Sequence, residues 1–178
     1  MTKDSPITVR AAIASDIKAI TAIYGHYVEN AMATYEEESP NAEEMQRRWL
    51  DVTGNGFPYL VAESDGEILG YGYASTFRVR SGYRYTVEDS IYASPHAIGK
   101  GIGKKLLSSL IDSCTELGFR QMIAVIGEPS NEASINLHAK QGFVQAGVLP
   151  AVGFKFGRFV DTVLMMRPLG EGANTAPE

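Results

Sequence analysis

The chain has 178 residues, of which 44% are hydrophobic and 21% charged, and its formal net charge at pH 7 is -5. This length and composition predict one soluble globular domain with a proper hydrophobic core. The negative charge argues against a protein that binds nucleic acid over a wide surface, because such proteins neutralise phosphates with Lys and Arg. No apolar stretch is long enough to span a membrane, and the N-terminal residues lack a hydrophobic signal core, so we expect a cytoplasmic protein.

Apolar periodicity and turn signals predict an α/β chain of about seven strands and four helices. In chain order the predicted elements are a strand at 7–12, helices that begin at Ser15 and Asn41, strands at 57–63, 68–77 and 85–93, a helix that ends before Gly118, a strand at 122–126, a helix at 131–141, and strands at 143–149 and 159–166. This order predicts a sheet with mixed strand directions. Residues 1–169 form the predicted domain, and residues 170–178, which are rich in Gly, Ala and Pro, are predicted to be a disordered tail.

Two predicted loops carry charged residues. The loop at 30–40 contains the acidic run 36–38, which we interpret as a solvent-exposed face. The loop at 78–84 lies between two predicted strands and holds three arginines. A guanidinium fork from Arg78 or Arg80 suits the carboxylate of an amino acid, although ordinary surface arginines are the alternative.

The stretch from His96 to Leu107, HAIGKGIGKKLL, lies between a predicted strand and a predicted helix. Its alternating glycines allow positive φ angles and a close approach of the backbone to a ligand. The free N–H groups of a helix N-terminus behind such a turn bind anions, above all phosphate. The spacing does not fit a P-loop, and a dinucleotide fingerprint that starts at Gly99 would need Gly or Ala at Lys104. A glycine-rich helix start without a ligand is the alternative.

These glycines resemble the acetyl-CoA signature of the GNAT N-acetyltransferases, Q/R-x-x-G-x-G/A, whose backbone amides hold the CoA pyrophosphate. The signature falls on residues 98–103, and Ile98 stands where Gln or Arg is usual. A second family element, N-x-x-A-x-x-L-Y followed by Gly and an aromatic residue, is matched by Asn131, Ser134 (for Ala), Leu137, His138 (for Tyr), Gly142 and Phe143. The resemblance implies the GNAT fold, a mixed and mostly antiparallel sheet of about seven strands flanked by four helices, with splayed central strands.

Three stretches are similar to the phosphinothricin acetyltransferase branch of this family, which includes the methionine sulfone and methionine sulfoximine N-acetyltransferases. These stretches are 85–95, 131–143 and 153–162, and the resemblance extends from about Ile7 to Leu169. It implies acetyl-CoA as co-substrate, no metal, a small amino-acid acceptor and a homodimer.

The resemblance also implies roles for individual residues. Glu88 and His138 match the residues that are proposed to be catalytic in this branch. The residues expected to bind acetyl-CoA are Ile91, Tyr92, Ala93, Gly99, Lys100, Gly101, Ile102, Gly103, Lys104 and Asn131. The residues expected to bind the substrate are Arg78, Val79, Arg80, Glu88, Asp89 and Ser90. By family position, Lys155 and Phe156 would close the pocket across a dimer contact.

The chemistry of acetyl transfer supports two of these roles. The acceptor's α-ammonium group is mostly protonated near pH 7, so a base must remove its proton. Glu88 is the candidate base, and a solvent-facing carboxylate is the alternative. His138 could protonate the leaving thiolate, act as a base or orient the substrate, or it could be a structural histidine of the helix. Asn131 could contact CoA or serve only as a helix cap.

The sequence therefore favours an N-acetyltransferase that uses acetyl-CoA to acetylate the α-amino group of methionine sulfone, methionine sulfoximine, phosphinothricin or a similar compound. Two other functions stay open, an acetyltransferase of protein N-termini or lysines and a non-catalytic acyl-CoA sensor. The presence of Glu88 and His138 counts against a sensor. Because backbone amides rather than a side chain bind the CoA pyrophosphate, Ile98 in place of Gln or Arg should weaken CoA binding only modestly.

Overall fold

The computed structural model describes residues 5–177 and shows a seven-stranded sheet with helices on both faces. The strands are β1 (Thr8–Ala11), β2 (Tyr59–Ser64), β3 (Glu67–Thr76), β4 (Thr86–Ala93), β5 (Gln121–Gly127), β6 (Val144–Lys155) and β7 (Arg158–Pro168). The helices are α1 (Ile17–Asn30), α2 (Ala42–Gly54), α3 (Ile102–Glu116) and α4 (Glu132–Lys140). The predicted element order is confirmed. Within residues 5–177, none of the helices has the length and apolar character needed to cross a membrane.

The sheet has the strand order β1-β2-β3-β4-β5-β7-β6, and all neighbours are antiparallel except β4 and β5, which are parallel. Helices α1 and α2 cover one face, where they pack on Tyr59, Tyr71 and Tyr92. Helix α3 covers the other, where Leu110 packs in one core with Val87. We call these the tyrosine face and the α3 face.

Local sequence signals set several of the element boundaries. The Asn41 side chain accepts the N–H of Glu44 at 2.9 Å and caps α2, and Asn131 caps α4 through the N–H of Ser134 at 3.2 Å. The hairpin between β2 and β3 turns at Gly66, whose φ of 78° is one that glycine adopts at little cost. These boundaries follow from side-chain chemistry within a few residues of each turn.

Strand β6 is longer than the predicted strand at 143–149, since it continues to Lys155. Its pairing with β7 shifts register between Leu149 and Gly153. The intervening Pro150 suggests a strand end, because proline cannot donate a ladder hydrogen bond. However, β6 is the edge strand of the sheet, where a proline and a bulge are both tolerated.

The parallel pairing of β4 with β5 stops halfway along the strands. It starts where Thr86 lies opposite Gln121 and ends where Asp89 lies opposite Ala124. Beyond this pair, β4 continues beside β3 and β5 continues beside β7, and within residues 5–177 nothing pairs across the gap. The predicted splayed strands are therefore confirmed. We call the pair of Asp89 and Ala124 the branch point.

The chain after β7 folds back onto the domain. Leu169 is buried in the α3-face core, and the N–H of Gly172 donates to the Leu169 carbonyl at 2.8 Å. The Arg120 side chain donates to the Thr175 hydroxyl at 3.1 Å. The predicted disorder of residues 170–178 stays a prediction, as does the predicted domain 1–169, whose first four residues lie outside the described part of the chain.

The loop between α1 and α2 packs closely against two glycines, one in β5 and one in β6. A Cβ atom at Gly127 would lie 2.1 Å from the Met32 carbonyl oxygen, and one at Gly153 would lie 2.6 Å from the Tyr35 ring. The Tyr35 hydroxyl also shares a 2.7 Å hydrogen bond with the Thr162 hydroxyl. Both glycines are therefore needed for the loop to approach this closely.

Lys155, at the end of β6, binds the same loop. Its side chain is fully buried, with 0% of the residue exposed, and Nζ donates to the carbonyls of Ala31 at 2.7 Å and Thr34 at 2.8 Å. Burial lowers the pKa of its ammonium group, while the charges of Glu37 and Glu36 raise it, and the net shift is downward. The expectation that Lys155 closes a pocket across a dimer contact is wrong, because its side chain points into its own chain.

We predict that Lys155→Met lowers the free energy of unfolding by roughly 1–3 kcal/mol, because the carbonyls of Ala31 and Thr34 lose their buried donor. Urea denaturation followed by circular dichroism measures this loss. Lys18→Met, on the exposed side of α1, is the matched control and should change the free energy by no more than about 0.5 kcal/mol. Equal effects of the two substitutions would contradict the role of Lys155.

Candidate active site

Strand β4 presents acidic side chains to both faces of the sheet. Successive residues of a strand point to opposite faces. Val87 lies in the core under α3 and Tyr92 lies in the core under α1, which fixes the two directions. Glu88 and Ser90 therefore point to the tyrosine face, and Asp89 points to the α3 face. The sequence grouped all three in one substrate pocket, and the structure separates Asp89 from the other two.

Glu88 is half-buried and adjoins the branch point. Burial raises the pKa of its carboxyl group, the charge of Asp89 raises it further, and the charge of Arg78 lowers it. The net shift is upward. A carboxylate with a raised pKa accepts a proton more readily than an ordinary surface carboxylate. This environment favours a base over a solvent-facing carboxylate at position 88.

The arginine loop between β3 and β4 is exposed, and Val79 at its tip is 96% exposed. The Arg78 guanidinium lies 4.6 Å from the centroid of the Phe77 ring, and its positive charge reaches Glu88. Arg80 is exposed as well, and its carbonyl begins the short 3₁₀ turn that follows. The charge of Arg78 thus acts on Glu88, and contacts of Arg78, Val79 and Arg80 with a substrate stay predictions.

Asp89 and His138 form a buried pair on the α3 face. Asp89 is 6% exposed and His138 is 4% exposed, and Nε2 of the imidazole lies 3.0 Å from Oδ2 of the carboxylate. The other ring nitrogen, Nδ1, lies 2.7 Å from the carbonyl oxygen of Ser134, one turn earlier in α4. Phe143 meets the ring edge to face at 5.0 Å. Placing Asp89 in the substrate pocket therefore needs correction, since its carboxylate already binds His138.

Opposing effects set the pKa of His138. Burial lowers it, but the hydrogen bond and charge of Asp89 and the Ser134 carbonyl raise it, and the net shift is upward. Glu88 and His138, the two predicted catalytic residues, are not brought together, because they lie on opposite sides of the sheet. Within residues 5–177, no group of three or more His, Cys, Asp or Glu side chains is arranged to hold a metal ion.

The glycine motif leads from β4 into α3, and its glycines serve different purposes. Gly99 and Gly101 have φ angles of 85° and 81°, which favour glycine, and Gly101 is the N-cap of α3. A Cβ atom at Gly103 would lie 3.0 Å from Leu137, so this glycine allows α4 to pack closely against α3. The motif therefore bends the chain and leaves the first N–H groups of α3 without intrahelical acceptors.

The side chains of the glycine motif are divided between the core and solvent. Ile102 is buried, so it can meet a ligand only through its backbone, whereas Lys100 and Lys104 are exposed. Ile98 is 67% exposed, at the start of the turn. An anion at this helix start would meet backbone N–H groups and two lysines. Binding of CoA by residues 99–104 stays a prediction.

The strand edge beyond the branch point is formed by Ile91, Tyr92 and Ala93, and no strand pairs with it on the β5 side within residues 5–177. The Tyr27 hydroxyl donates to the Ala93 carbonyl at 2.6 Å. Contacts of these three residues with CoA stay predictions. Asn131 is confirmed as a helix cap, and its contact with CoA also stays a prediction.

The sequence did not point to a cavity of about 230 Å³ between α2 and the tyrosine face. Tyr24, Tyr59 and Tyr73 line it, together with Arg48. Glu36 accepts hydrogen bonds from Tyr24 at 2.9 Å and from Arg48 at 2.6 Å, so this member of the acidic run is not simply solvated. The one signal in the sequence is the pair of tyrosines two residues apart in β3, Tyr71 and Tyr73, beside the single Tyr59 of β2.

Comparisons with known proteins agree with the fold and with the glycine motif. Residues 20–143 match the acetyltransferase (GNAT) family. A phosphinothricin N-acetyltransferase of Alcaligenes faecalis is 54% identical over 171 residues, which cover 96% of this chain and 87% of the relative. An L-methionine sulfoximine/L-methionine sulfone acetyltransferase of Salmonella typhimurium is 40% identical over 168 residues, which cover 94% of this chain and 97% of the relative.

Solved structures resemble this chain as well, and one example matches over nearly its whole length. It is the crystal structure of a GNAT superfamily phosphinothricin acetyltransferase from Sinorhizobium meliloti in complex with acetyl-CoA, with a TM-score of 0.93 and 55% sequence identity. The match covers 97% of this chain and 93% of that one. With its splayed central strands and its glycine-turn helix start, the chain belongs to the GNAT acetyltransferase family.

Proposed function

We propose that this protein transfers the acetyl group of acetyl-CoA to the α-amino group of a small amino-acid-like substrate, such as methionine sulfone, methionine sulfoximine or phosphinothricin. One observation carries the proposal: a half-buried Glu88 with a raised pKa adjoins the gap between β4 and β5. The names of the relatives and the acetyl-CoA complex of the similar structure support the substrate and the donor. A cytoplasmic location is part of the proposal.

Acetyl-CoA would lie along the gap between the central strands. The N–H groups of residues 99–104 would hold its pyrophosphate, because a helix N-terminus offers unpaired donors and a positive dipole end. Lys100 and Lys104 are exposed and add positive charge. The free edge of Ile91, Tyr92 and Ala93 would pair with the pantetheine arm, and an N–H there would polarise the thioester carbonyl.

The reaction would proceed by direct transfer while both substrates are bound. Glu88 would take a proton from the acceptor's ammonium group, directly or through a water molecule. The free amine would then attack the thioester carbon, a C–N bond would form and the C–S bond would break, while the nitrogen releases its second proton to water. The CoA thiolate would receive a proton from His138, for which one of the two N–H groups that face the Ser134 carbonyl and Asp89 would turn towards the sulfur.

Recognition of the acceptor would rest on the exposed arginine loop. Arg78 lies close enough to Glu88 for its charge to act on the carboxylate, so a bound amino acid could place its carboxylate on Arg78 and its amine on Glu88. Val79, Arg80 and Ser90 would complete the pocket. Asp89 is left out of it, because its side chain is buried on the other face.

The protein would act as a homodimer through β6 and β7. Strand β6 is the edge of the sheet, and this strand pair exposes a row of large apolar side chains. The most exposed are Val144, Val152, Phe154, Phe156 and Phe159, each more than half exposed. A row of this kind is typical of a protein interface, and the partner chain would cover it.

Incubation with acetyl-CoA and a panel of acceptors tests the function, with free CoA detected by a thiol reagent. We expect CoA release with methionine sulfone, methionine sulfoximine or phosphinothricin, and much less with a peptide that has a free N-terminus and a lysine. Reactions without an acceptor give the background hydrolysis. Release with the peptide alone would indicate a protein acetyltransferase, and no release with any acceptor would favour an acyl-CoA sensor.

We predict that Glu88→Gln lowers kcat by about a hundredfold or more, since a positioned general base contributes roughly 10² to 10⁴. The wild-type rate should rise with pH as Glu88 loses its proton, and the upward shift of its pKa places this rise above the range of an ordinary glutamate. The variant should lack this rise in a pH-rate profile. Glu43→Gln, on the exposed side of α2, is the control. An unchanged rate and profile for Glu88→Gln would refute the base.

Phe159→Asp should convert the dimer to a monomer, because it places a charge at a residue that is 69% exposed within the apolar row. Sedimentation velocity gives the oligomeric state. Leu50→Asp makes the same change at a residue of α2 that is 53% exposed, and it should leave the dimer intact. A monomeric wild-type protein, or a Phe159→Asp variant that stays dimeric, would contradict this interface.

A further inference from the structure

We propose that Asp89 is a positioning residue, which keeps the imidazole ring of His138 doubly protonated and fixed at the branch point of β4 and β5. This rests on the proposed function, in which His138 supplies the proton for the leaving thiolate. Asp89 itself touches neither substrate and acts through the ring.

The hydrogen bonds of the ring define its charge. Nδ1 faces the carbonyl oxygen of Ser134 at 2.7 Å, and Nε2 faces Oδ2 of Asp89 at 3.0 Å. A carbonyl oxygen and an ionised carboxylate only accept hydrogen bonds, so both nitrogens of His138 donate when Asp89 is ionised. The Ser134 hydroxyl also lies near Nδ1, but at the longer distance of 3.4 Å. A neutral ring would turn a lone pair towards one of these oxygens. The geometry therefore selects an imidazolium, held at both ends.

The carboxylate of Asp89 makes its hydrogen bond to the ring of His138. Oδ1 of Asp89 is buried and has no hydrogen-bond partner within residues 5–177. His138 is therefore the one donor that this part of the chain offers to the carboxylate. An ion pair that is more than nine-tenths buried is weakly screened, and loss of one partner leaves an uncompensated buried charge.

Other charges near the ring are few. On α3, Cys114 lies close to Asp89, but burial raises the pKa of its thiol to about 12, so the thiol stays neutral. On β4, Glu88 points to the opposite face, and β5 contributes apolar side chains to the α3-face core. On β7, Arg167 is charged, and its guanidinium donates to the Gln141 carbonyl at 2.6 Å, just after the end of α4. On α4 itself, Glu132 and Lys140 are exposed. Within residues 5–177, Asp89 is thus the charged group that contacts the ring of His138.

The position of the pair connects it to the proposed site. Asp89 is the last residue of β4 that pairs with β5, so its side chain leaves the strand where the gap begins. The contact of His138 with Asp89 connects α4 to the branch point. The pair thereby fixes the orientation of the ring relative to the strand edge along which acetyl-CoA would lie.

The test is to compare the wild-type protein with Asp89→Asn by NMR titration of the histidine rings, together with the pH dependence of kcat. The chain has three histidines, so the spectrum of His138→Gln assigns the His138 signal. We expect Asp89→Asn to lower the His138 pKa by about 1 to 3 pH units, because the opposite charge is removed. The fall of kcat at alkaline pH should move to lower pH by the same amount, since the acid is lost earlier. Asp112→Asn, on the exposed side of α3, is the control and should move neither.

A His138 pKa that does not fall in Asp89→Asn would overturn the proposal. A lower His138 pKa without a shift of the kcat profile would support the proposed effect of Asp89 on the ring. It would contradict the acid role of His138 in the proposed function. If the variant does not fold, the nitrogen chemical shifts of the wild-type ring decide the matter. Two protonated nitrogens at pH 7 support the proposal, and a ring with one unprotonated nitrogen at pH 7 overturns it.

Discussion

The interrupted pairing between β4 and β5 is the constraint on which the rest of the structure depends. A strand edge exposes backbone N–H and C=O groups that must find partners. In a closed sheet the neighbouring strand would supply them, but here the pairing ends at Asp89 and Ala124. The edge beyond is available to an extended ligand, and helix α3 begins close to its far end. A ligand with a long polar arm and an anionic group matches both features.

The two faces of β4 hold carboxylates in different surroundings. Glu88 points to the tyrosine face, where burial raises its pKa. Asp89 points to the α3 face, where the His138 ring holds it. Two adjacent carboxylates thus sit in different environments, and alternation along one strand is enough to separate them. This arrangement keeps the proposed base and the proposed acid on opposite sides of the sheet.

The face on which Glu88 lies depends on contacts that β5 and β6 make with the loop after α1. Lys155, from the edge strand, holds the loop after α1 through backbone carbonyls, and Gly127 and Gly153 let that loop approach. The loop in turn places Glu36 between Tyr24 and Arg48. Strands β5 and β6 therefore help to shape the face on which Glu88 lies, although the edge strand β6 is distant from β4 in the sheet order.

The sequence by itself determined the element order, the helix caps, the glycine turn and the family. These depend on neighbours within a few residues, such as Asn41 with Glu44, or on the period of apolar residues. Only the tertiary structure decided which side chains meet across long stretches of chain. Strand alternation shows that Glu88 and Asp89 point apart, but it cannot show that Asp89 meets a histidine 49 positions later. Nor could it show that Lys155 turns inward to a helix end, because burial of a charge depends on partners that folding brings together.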